Sequence, residues 1–191
     1  MKIGVLALQG AFIEHARRVT QLGAEGVQVR LPGQLADLDG LIIPGGESTT
    51  IGKLAVKYEL LEPLRDFAAR RPVWGTCAGM IFLAKDIGPH EQPILGMMDM
   101  TVNRNAFGRQ AQSFETDLPI EGLAGDPFHA VFIRAPLVTA VREDARAIAQ
   151  LDPERIVAVR QGHWLATAFH PELTPDNRLH ELFLEMVRAV A

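Results

Sequence analysis

The chain has one cysteine, Cys77, among its 191 residues, which excludes an internal disulfide and any multi-cysteine metal site. No apolar stretch approaches the roughly 18–20 residues that a bilayer-spanning helix needs. Met1-Lys2 leads straight into Ile3-Gly4-Val5-Leu6-Ala7-Leu8, too short a run for the apolar part of a signal peptide with its cleavage site. The net charge of -4 comes without a long run of one sign, which argues against a phosphate-tracking nucleic-acid surface or a polybasic membrane anchor. The glycine-rich segments lack the Gly-Lys-Ser/Thr ending of a P-loop, and Gly4 with Gly10 fails the dinucleotide spacing. No His/Cys/Asp/Glu group has structural zinc spacing. Internal repeats, low-complexity tracts and convincing linkers are also missing. The expectation is a cytoplasmic chain with no metal, no cofactor, no nucleic acid and no membrane partner. What is present, 48% hydrophobic and 22% charged residues, suffices for one large core, so residues 1–191 are expected to form a single domain.

Ile3 to Leu8 is a continuous apolar run that suits a strand buried on both faces of a parallel sheet. Phe12, His15, Ala16, Val19 and Leu22 then repeat at helical spacing before Gly23. Gly26 to Leu31 and Gly40 to Ile43 read as strands, the second stopping at Pro44-Gly45-Gly46. Ser48, Thr49 and Thr50 offer N-caps for a helix running towards Tyr58 and Leu61, and a further helix passes through Leu64 and Phe67. Val73 to Thr76 reads as a strand and Ala78 to Lys85 as a helix. From Ile94 to Ala168 the pattern shifts to short β-rich pieces: Met97 to Val102, Ala130 to Ile133, Ile156 to Arg160 and Trp164 to Phe169. Leu179 to Val190 closes the chain as an amphipathic helix. This alternation predicts an α/β fold: a three-layer, doubly wound, mostly parallel sheet with helices on both faces and extra antiparallel strands. In such a sheet the loops after the strands share one rim, which gathers Gln9-Gly10, Gly45-Gly46-Glu47-Ser48 and Cys77-Ala78.

Cys77 stands in Gly75-Thr76-Cys77-Ala78-Gly79, the form of a nucleophile elbow, where a sharp strand-to-helix turn exposes the central side chain at a helix N-terminus. The competing reading is a small buried hydrophobe. His170-Pro171-Glu172 follows another strand-like run, and its proline sets a corner that can aim His170 inward and return Glu172 to the ring. A thiol nucleophile needs such a base, and the base needs a third group to fix its tautomer and stabilise the imidazolium. The other histidines compete less well. His15 reads as a structural or surface residue of its helix, His163 as part of a turn, and His90, His129 and His180 have no special setting. Gly45-Gly46-Glu47-Ser48 is either a turn with a helix cap at Ser48 or Thr49, or a segment whose main-chain N–H groups join that of Ala78 as an oxyanion hole. Arg104 and Arg134 interrupt β-rich territory, and a guanidinium at a cleft rim suits a carboxylate-bearing substrate.

With elbow, base and orienter assembled, the chain resembles the class I, triad-type glutamine amidotransferases. Further blocks narrow the resemblance: Leu8-Gln9-Gly10-Ala11 with Glu14-His15, Pro44 to Thr50, Gly75 to Gly79, Arg104-Asn105-x-Phe107-Gly108-Arg109-Gln110, Phe132 to Pro136, and Phe169 to Leu173. In order and over nearly the whole chain, they resemble the glutaminase subunits of pyridoxal 5'-phosphate synthase. That resemblance implies hydrolysis of L-glutamine to glutamate and ammonia, with Cys77 as nucleophile, His170 as general base and acid, and Glu172 as orienter. It implies a glutamine site formed by Gly46, Glu47, Ser48, Arg104, Ile133 and Arg134, with an oxyanion hole at Gly46 and Ala78. It also implies a barrel-shaped synthase partner in a large hetero-oligomer, with Gln9 and Gly10 near the contact that activates the site. A peptidase-like relative with the same elbow and a noncatalytic scaffold are the alternatives; the former generally lacks the His-Pro-Glu tripeptide, and in the latter the triad is expected to decay.

Overall fold

The first apolar run is buried because the strand it forms has neighbours on both edges. In the computed structural model, which describes residues 1–104 and 113–190, strand β1 (Lys2–Leu6) leads through helix α1 (Phe12–Gln21) to β2 (Glu25–Val29) and then β3 (Gly40–Ile43). β2 and β3 flank β1, both parallel to it, and Ile3, Val5 and Leu6 are shielded from solvent. Helices α2 (Ser48–Lys57) and α3 (Leu61–Ala68) follow, then β4 (Val73–Thr76) beside β3.

Helix α4 (Ala78–Leu83) is shorter than the apolar pattern predicted, because Ala84 and Lys85 leave it for strand β5 (Ala84–Asp86), parallel to β6 (Met98–Asn103). Next come β7 (Ser113–Leu118), β8 (Phe128–Ile133), β9 (Leu137–Val141), β10 (Arg146–Asp152), β11 (Arg155–Gln161), β12 (Trp164–Thr167) and the closing helix α5 (Arg178–Arg188). The main sheet runs β2-β1-β3-β4-β12-β11-β9-β6-β5, with β10 on β11; β7 and β8 form a separate antiparallel pair. The five strands from β2 to β12 are mutually parallel, and antiparallel pairing begins at β11.

Two consecutive residues of β4 show the three layers. Trp74 faces His15 of α1 and His180 and Phe183 of α5, whereas a side chain on Gly75 would run into Gly79 and Leu83 of α4. Successive strand residues point to opposite faces, so α1 and α5 cover one side and α4, with α2 packed on it, the other.

Candidate active site

Cys77 is the single residue between β4 and α4, and it takes φ 48°, ψ −104°, a left-handed backbone that side chains other than glycine rarely adopt. The surrounding structure imposes this turn. A Cβ at Gly75 would lie 2.5 Å from the carbonyl carbon of Gly79, and one at Gly79 would lie 2.9 Å from that of Ile43. Only bare glycines let α4 sit this close to β3 and β4. The Cys77 N–H donates to Thr167 O at 2.8 Å, which fastens the elbow to the end of β12. α4 has only six residues, and the charge partner facing the sulfur is His170.

His170 is the third residue after β12, and its N–H donates to Val131 O of β8 at 2.8 Å. Pro171 opens a 3-10 turn (Pro171–Leu173) that folds Glu172 back, so that His170 Nδ1 lies 2.7 Å from Glu172 Oε1. Gly45 presses against both reactive groups: a Cβ there would be 2.5 Å from His170 Cε1 and 3.3 Å from Cys77 Cβ. Burial disfavours the imidazolium, but hydrogen bonds and charge from Cys77 and Glu172 outweigh it and push the His170 pKa up to about 10. Burial would also raise Glu172, yet His15 and His170 together hold its carboxyl well below the usual carboxylate range.

A cavity of about 330 Å³ opens over this group. Gln9, Gly46, Glu47, Ser48, Cys77, Ala78, Arg104, Ile133, Arg134 and His170 line it, so most of the sequence-predicted residues share one wall. Ile81 lines it too and carried no sequence signal beyond an apolar helix position. Glu172 lies behind His170, out of the cavity. Gly10 is not on the wall either. Its φ of 98° folds the loop onto Gly45, whose carbonyl oxygen accepts from Ala11 N–H at 3.1 Å. Asn105, Phe107, Gly108, Arg109 and Gln110 lie outside the described residues.

Two sequence expectations need correction. The α2 cap is Glu47, not Ser48 or Thr49: its carboxylate accepts from Thr49 N–H at 3.1 Å and Thr50 N–H at 2.7 Å. Slight burial works against ionisation, but these bonds and the Thr50 hydroxyl take its pKa down to about 2. The same carboxylate holds Arg104 Nη2 at 3.2 Å, and the Gln9 side chain accepts from Glu47 N–H at 2.7 Å. His180 is the second correction, because it does have a special setting: it is buried against His15, which takes the structural rather than the surface alternative, and His15 in turn lies behind Glu172. A signal was available, because His15 repeats in register with Phe12, Ala16 and Val19, and His180 adjoins Leu179 on the apolar side of α5. His129 remains at the surface, inside β8, between Glu115 and Asp117.

Among the described residues no cluster of three or more His, Cys, Asp or Glu residues is arranged to hold a metal ion, and no helix is long and apolar enough to cross a membrane. The parallel sheet with a cysteine elbow after one central strand and a histidine after its neighbour defines the class: the fold is that of the class I glutamine amidotransferases. A crystal structure of a glutamine amidotransferase superposes with a TM-score of 0.92 at 50% identity, covering 97% of this chain and 98% of the other. PurLQS from Thermotoga maritima shares the fold at a TM-score of 0.69 and 15% identity, over 96% and 97% of the two chains. The chain belongs to the SNO glutamine amidotransferase family, whose pattern it matches over residues 5–189. Similar relatives are the pyridoxal 5'-phosphate synthase subunits PdxT of Herpetosiphon aurantiacus, 61% identical over 96% of this chain and 99% of that one, and of Moorella thermoacetica, 57% identical over 98% and 100%.

Proposed function

We propose that the chain is a glutaminase that hydrolyses L-glutamine to L-glutamate and ammonia through a thioester on Cys77, and that it delivers the ammonia to a synthase subunit making pyridoxal 5'-phosphate. One observation carries this reading: a strained cysteine elbow and a carboxylate-backed histidine border one small cavity in a member of a glutamine amidotransferase family. The relatives are named as subunits of pyridoxal 5'-phosphate synthase, which supports the acceptor.

In this mechanism the Cys77 thiolate attacks the side-chain amide carbon of glutamine. The main-chain N–H groups of Gly46 and Ala78 meet the oxyanion that forms. His170 gives its proton to the departing nitrogen, the C–N bond breaks, and neutral ammonia leaves an acyl-enzyme. His170 then removes a proton from water, which attacks the thioester; the C–S bond breaks, glutamate leaves and the thiolate–imidazolium pair is restored. Glu172 orients the ring and stabilises the imidazolium. Glu47, Ser48, Arg104, Ile133 and Arg134 bind glutamine, with the guanidinium groups suited to its α-carboxylate.

Ammonia must travel unprotonated, because ammonium has no nucleophilic lone pair. Direct docking on the synthase subunit shields it from bulk water, and a synthase core carrying peripheral glutaminases is the assembly this implies. Gln9 and Gly10 are suited to report docking. One holds Glu47 N–H and the other rests on Gly45, so displacing their loop shifts the Gly45–Gly46–Glu47 segment. A reducing compartment such as the cytoplasm suits a lone nucleophilic thiol. The whole of 1–191 acts as one glutaminase unit.

The test is ammonia release from L-glutamine, with and without the synthase subunit, for wild type and Cys77→Ala. Release that rises with the synthase and vanishes in the variant is expected; turnover by Cys77→Ala in the assembled complex would overturn the mechanism.

A further inference from the structure

Buried polar groups continue beyond Glu172. One carboxylate oxygen, Oε1, is taken by His170, while Oε2 has no hydrogen-bond partner among the described residues and is faced by His15 Nε2 at an ion-pair distance of 3.3 Å. His15 Nδ1 lies 3.0 Å from His180 Nε2. His15, Glu172 and His180 are 0%, 3% and 1% exposed, so water does not satisfy them from outside. Trp74 stands edge-on to both imidazoles, with ring centroids 5.7 Å from His15 and 4.9 Å from His180, and its own N–H goes to Thr167 Oγ1 at 3.2 Å.

The polarity of this chain follows from its far end. His180 Nδ1 is buried without a partner. A bare ring nitrogen left unpaired forfeits an acceptor interaction, whereas a buried N–H left unpaired carries a desolvation penalty with nothing to offset it. The His180 proton therefore sits on Nε2 and is donated to His15 Nδ1. Burial, with the Arg18 guanidinium nearby, also holds His180 in its neutral form. His15 then carries its proton on Nε2, which hydrogen-bonds Thr76 Oγ1 at 3.2 Å and turns the positive edge of the ring towards Glu172 Oε2, 3.3 Å away. This tautomer is assigned from the hydrogen-bond network.

We infer that His15 is a positioning residue for the reaction, holding the outer oxygen of Glu172 so that the inner one stays on His170 Nδ1, and that His180 sets the tautomer in which His15 can do so. The inference rests on the Cys77–His170–Glu172 reading proposed above. Without His15, Glu172 Oε2 is a buried anionic oxygen that no N–H faces, and the carboxylate loses a contact that orients it and favours its ionised form. The groups facing His15 are His180 from α5, Glu172 from the 3-10 turn and Thr76 from β4, with Arg18 one turn along its own helix reaching Thr174 O.

The test compares His15→Asn and His15→Gln in complex with the synthase subunit. Asparagine can still accept from His180 but is too short to reach Glu172; glutamine places an N–H near the lost Nε2. Loss of a group that orients a catalytic residue through a second contact typically reduces function by about 10–100-fold, so His15→Asn is expected to lower kcat by that order with KM for glutamine little changed. His15→Gln is expected to recover most of that loss. Wild-type kcat in His15→Asn, or equal losses in both variants that follow the folded fraction, would reduce His15 to a packing residue and overturn the inference. Cys77→Ala, run alongside, separates the two readings: an active Cys77→Ala sinks the triad itself. Nitrogen chemical shifts of ¹⁵N-histidine in the unmodified protein give an independent check, expected to show His15 protonated at Nε2 and bare at Nδ1; the opposite tautomer refutes the relay even if no variant folds.

Discussion

Gly79→Ala puts the elbow to its most direct test, because the added methyl meets backbone. It would sit 2.9 Å from the Ile43 carbonyl carbon and nearer still to the oxygen, where ordinary contact begins at 3.4 Å. α4 must therefore back away from β3 by at least about 0.5 Å, the difference of those distances, and Cys77 and Ala78 move with it. Overpacking of this kind costs about 1–3 kcal/mol. In a chain of this size each kcal/mol lowers Tm by roughly 2–4 °C, so the expected fall is between about 2 and 12 °C. The functional loss is larger in proportion: a displacement of about 1 Å at a reacting group is worth on the order of 100-fold, so the minimum shift already costs about tenfold in kcat and the closer clash with the Ile43 oxygen makes the loss greater. Gly33→Ala is the control, since a Cβ there meets nothing within 4 Å. Thermal unfolding and glutaminase turnover in the presence of the synthase subunit are the measurements. A Gly79→Ala protein that matches Gly33→Ala in both would show that the close approach of α4 does not set the elbow.

Glu47→Ala removes the cap of α2 and the carboxylate that holds Arg104, so a loss of about 0.5–2 kcal/mol by chemical denaturation is expected together with a raised KM for glutamine; an unchanged KM would separate the cap from the site. The His170–Glu172 pair sets a pH window. His170 is raised from 6.5 to about 10, so its stabilisation is complete below about pH 6.5 and is lost as pH climbs towards 10. Glu172 is held below its ordinary 4.5, so its contribution is present above that value and disappears as pH falls. The stability difference between wild type and Glu172→Gln should therefore peak between about pH 4.5 and 6.5 and shrink on either side, and a difference flat across that range and beyond contradicts the assignment. Trp74→Phe, which deletes the N–H bonded to Thr167 and bares the edges of His15 and His180, should lower Tm and reduce kcat without changing KM; a fall in Tm with kcat intact would confine Trp74 to the core.

The parallel half of the fold was legible because its strands are short, apolar on both faces and bounded by glycine or proline, as at Gly40 to Ile43 and Val73 to Thr76, where expectation and structure coincide. β7 and β10 are illegible for the opposite reason. Ser113–Leu118 alternates exposed and half-buried residues with few strong β-formers, and Arg146–Asp152 is rich in alanine and kinked by register shifts. The end of α4 was misplaced because Ala84 and Lys85 suit a helix locally, and only pairing with β6 makes them a strand. Glu47 was overlooked as a cap because glutamate rarely serves as one, while serine and threonine stood beside it.

The site was legible through residues far apart in the chain because the sheet makes them neighbours. β4 and β12 are adjacent and parallel, with Thr76 in register with Thr167, so the next residues of both strands emerge at one rim. Adjacent strands lie about 4.8 Å apart, a distance that one residue of elbow and two of extension turn into contact between a sulfur and an imidazole. His15 and His180 lie beyond that logic. They come from two helices on the opposite face from α4, and line up behind Glu172 where Trp74, a strand residue three positions before Cys77, packs edge-on to both rings. Sequence patterns reveal which face a residue belongs to; that the buried face of α1 and the back of the rim meet at Glu172 depends on how far the 3-10 turn at Pro171 carries the chain inward, a tertiary quantity that no periodicity encodes.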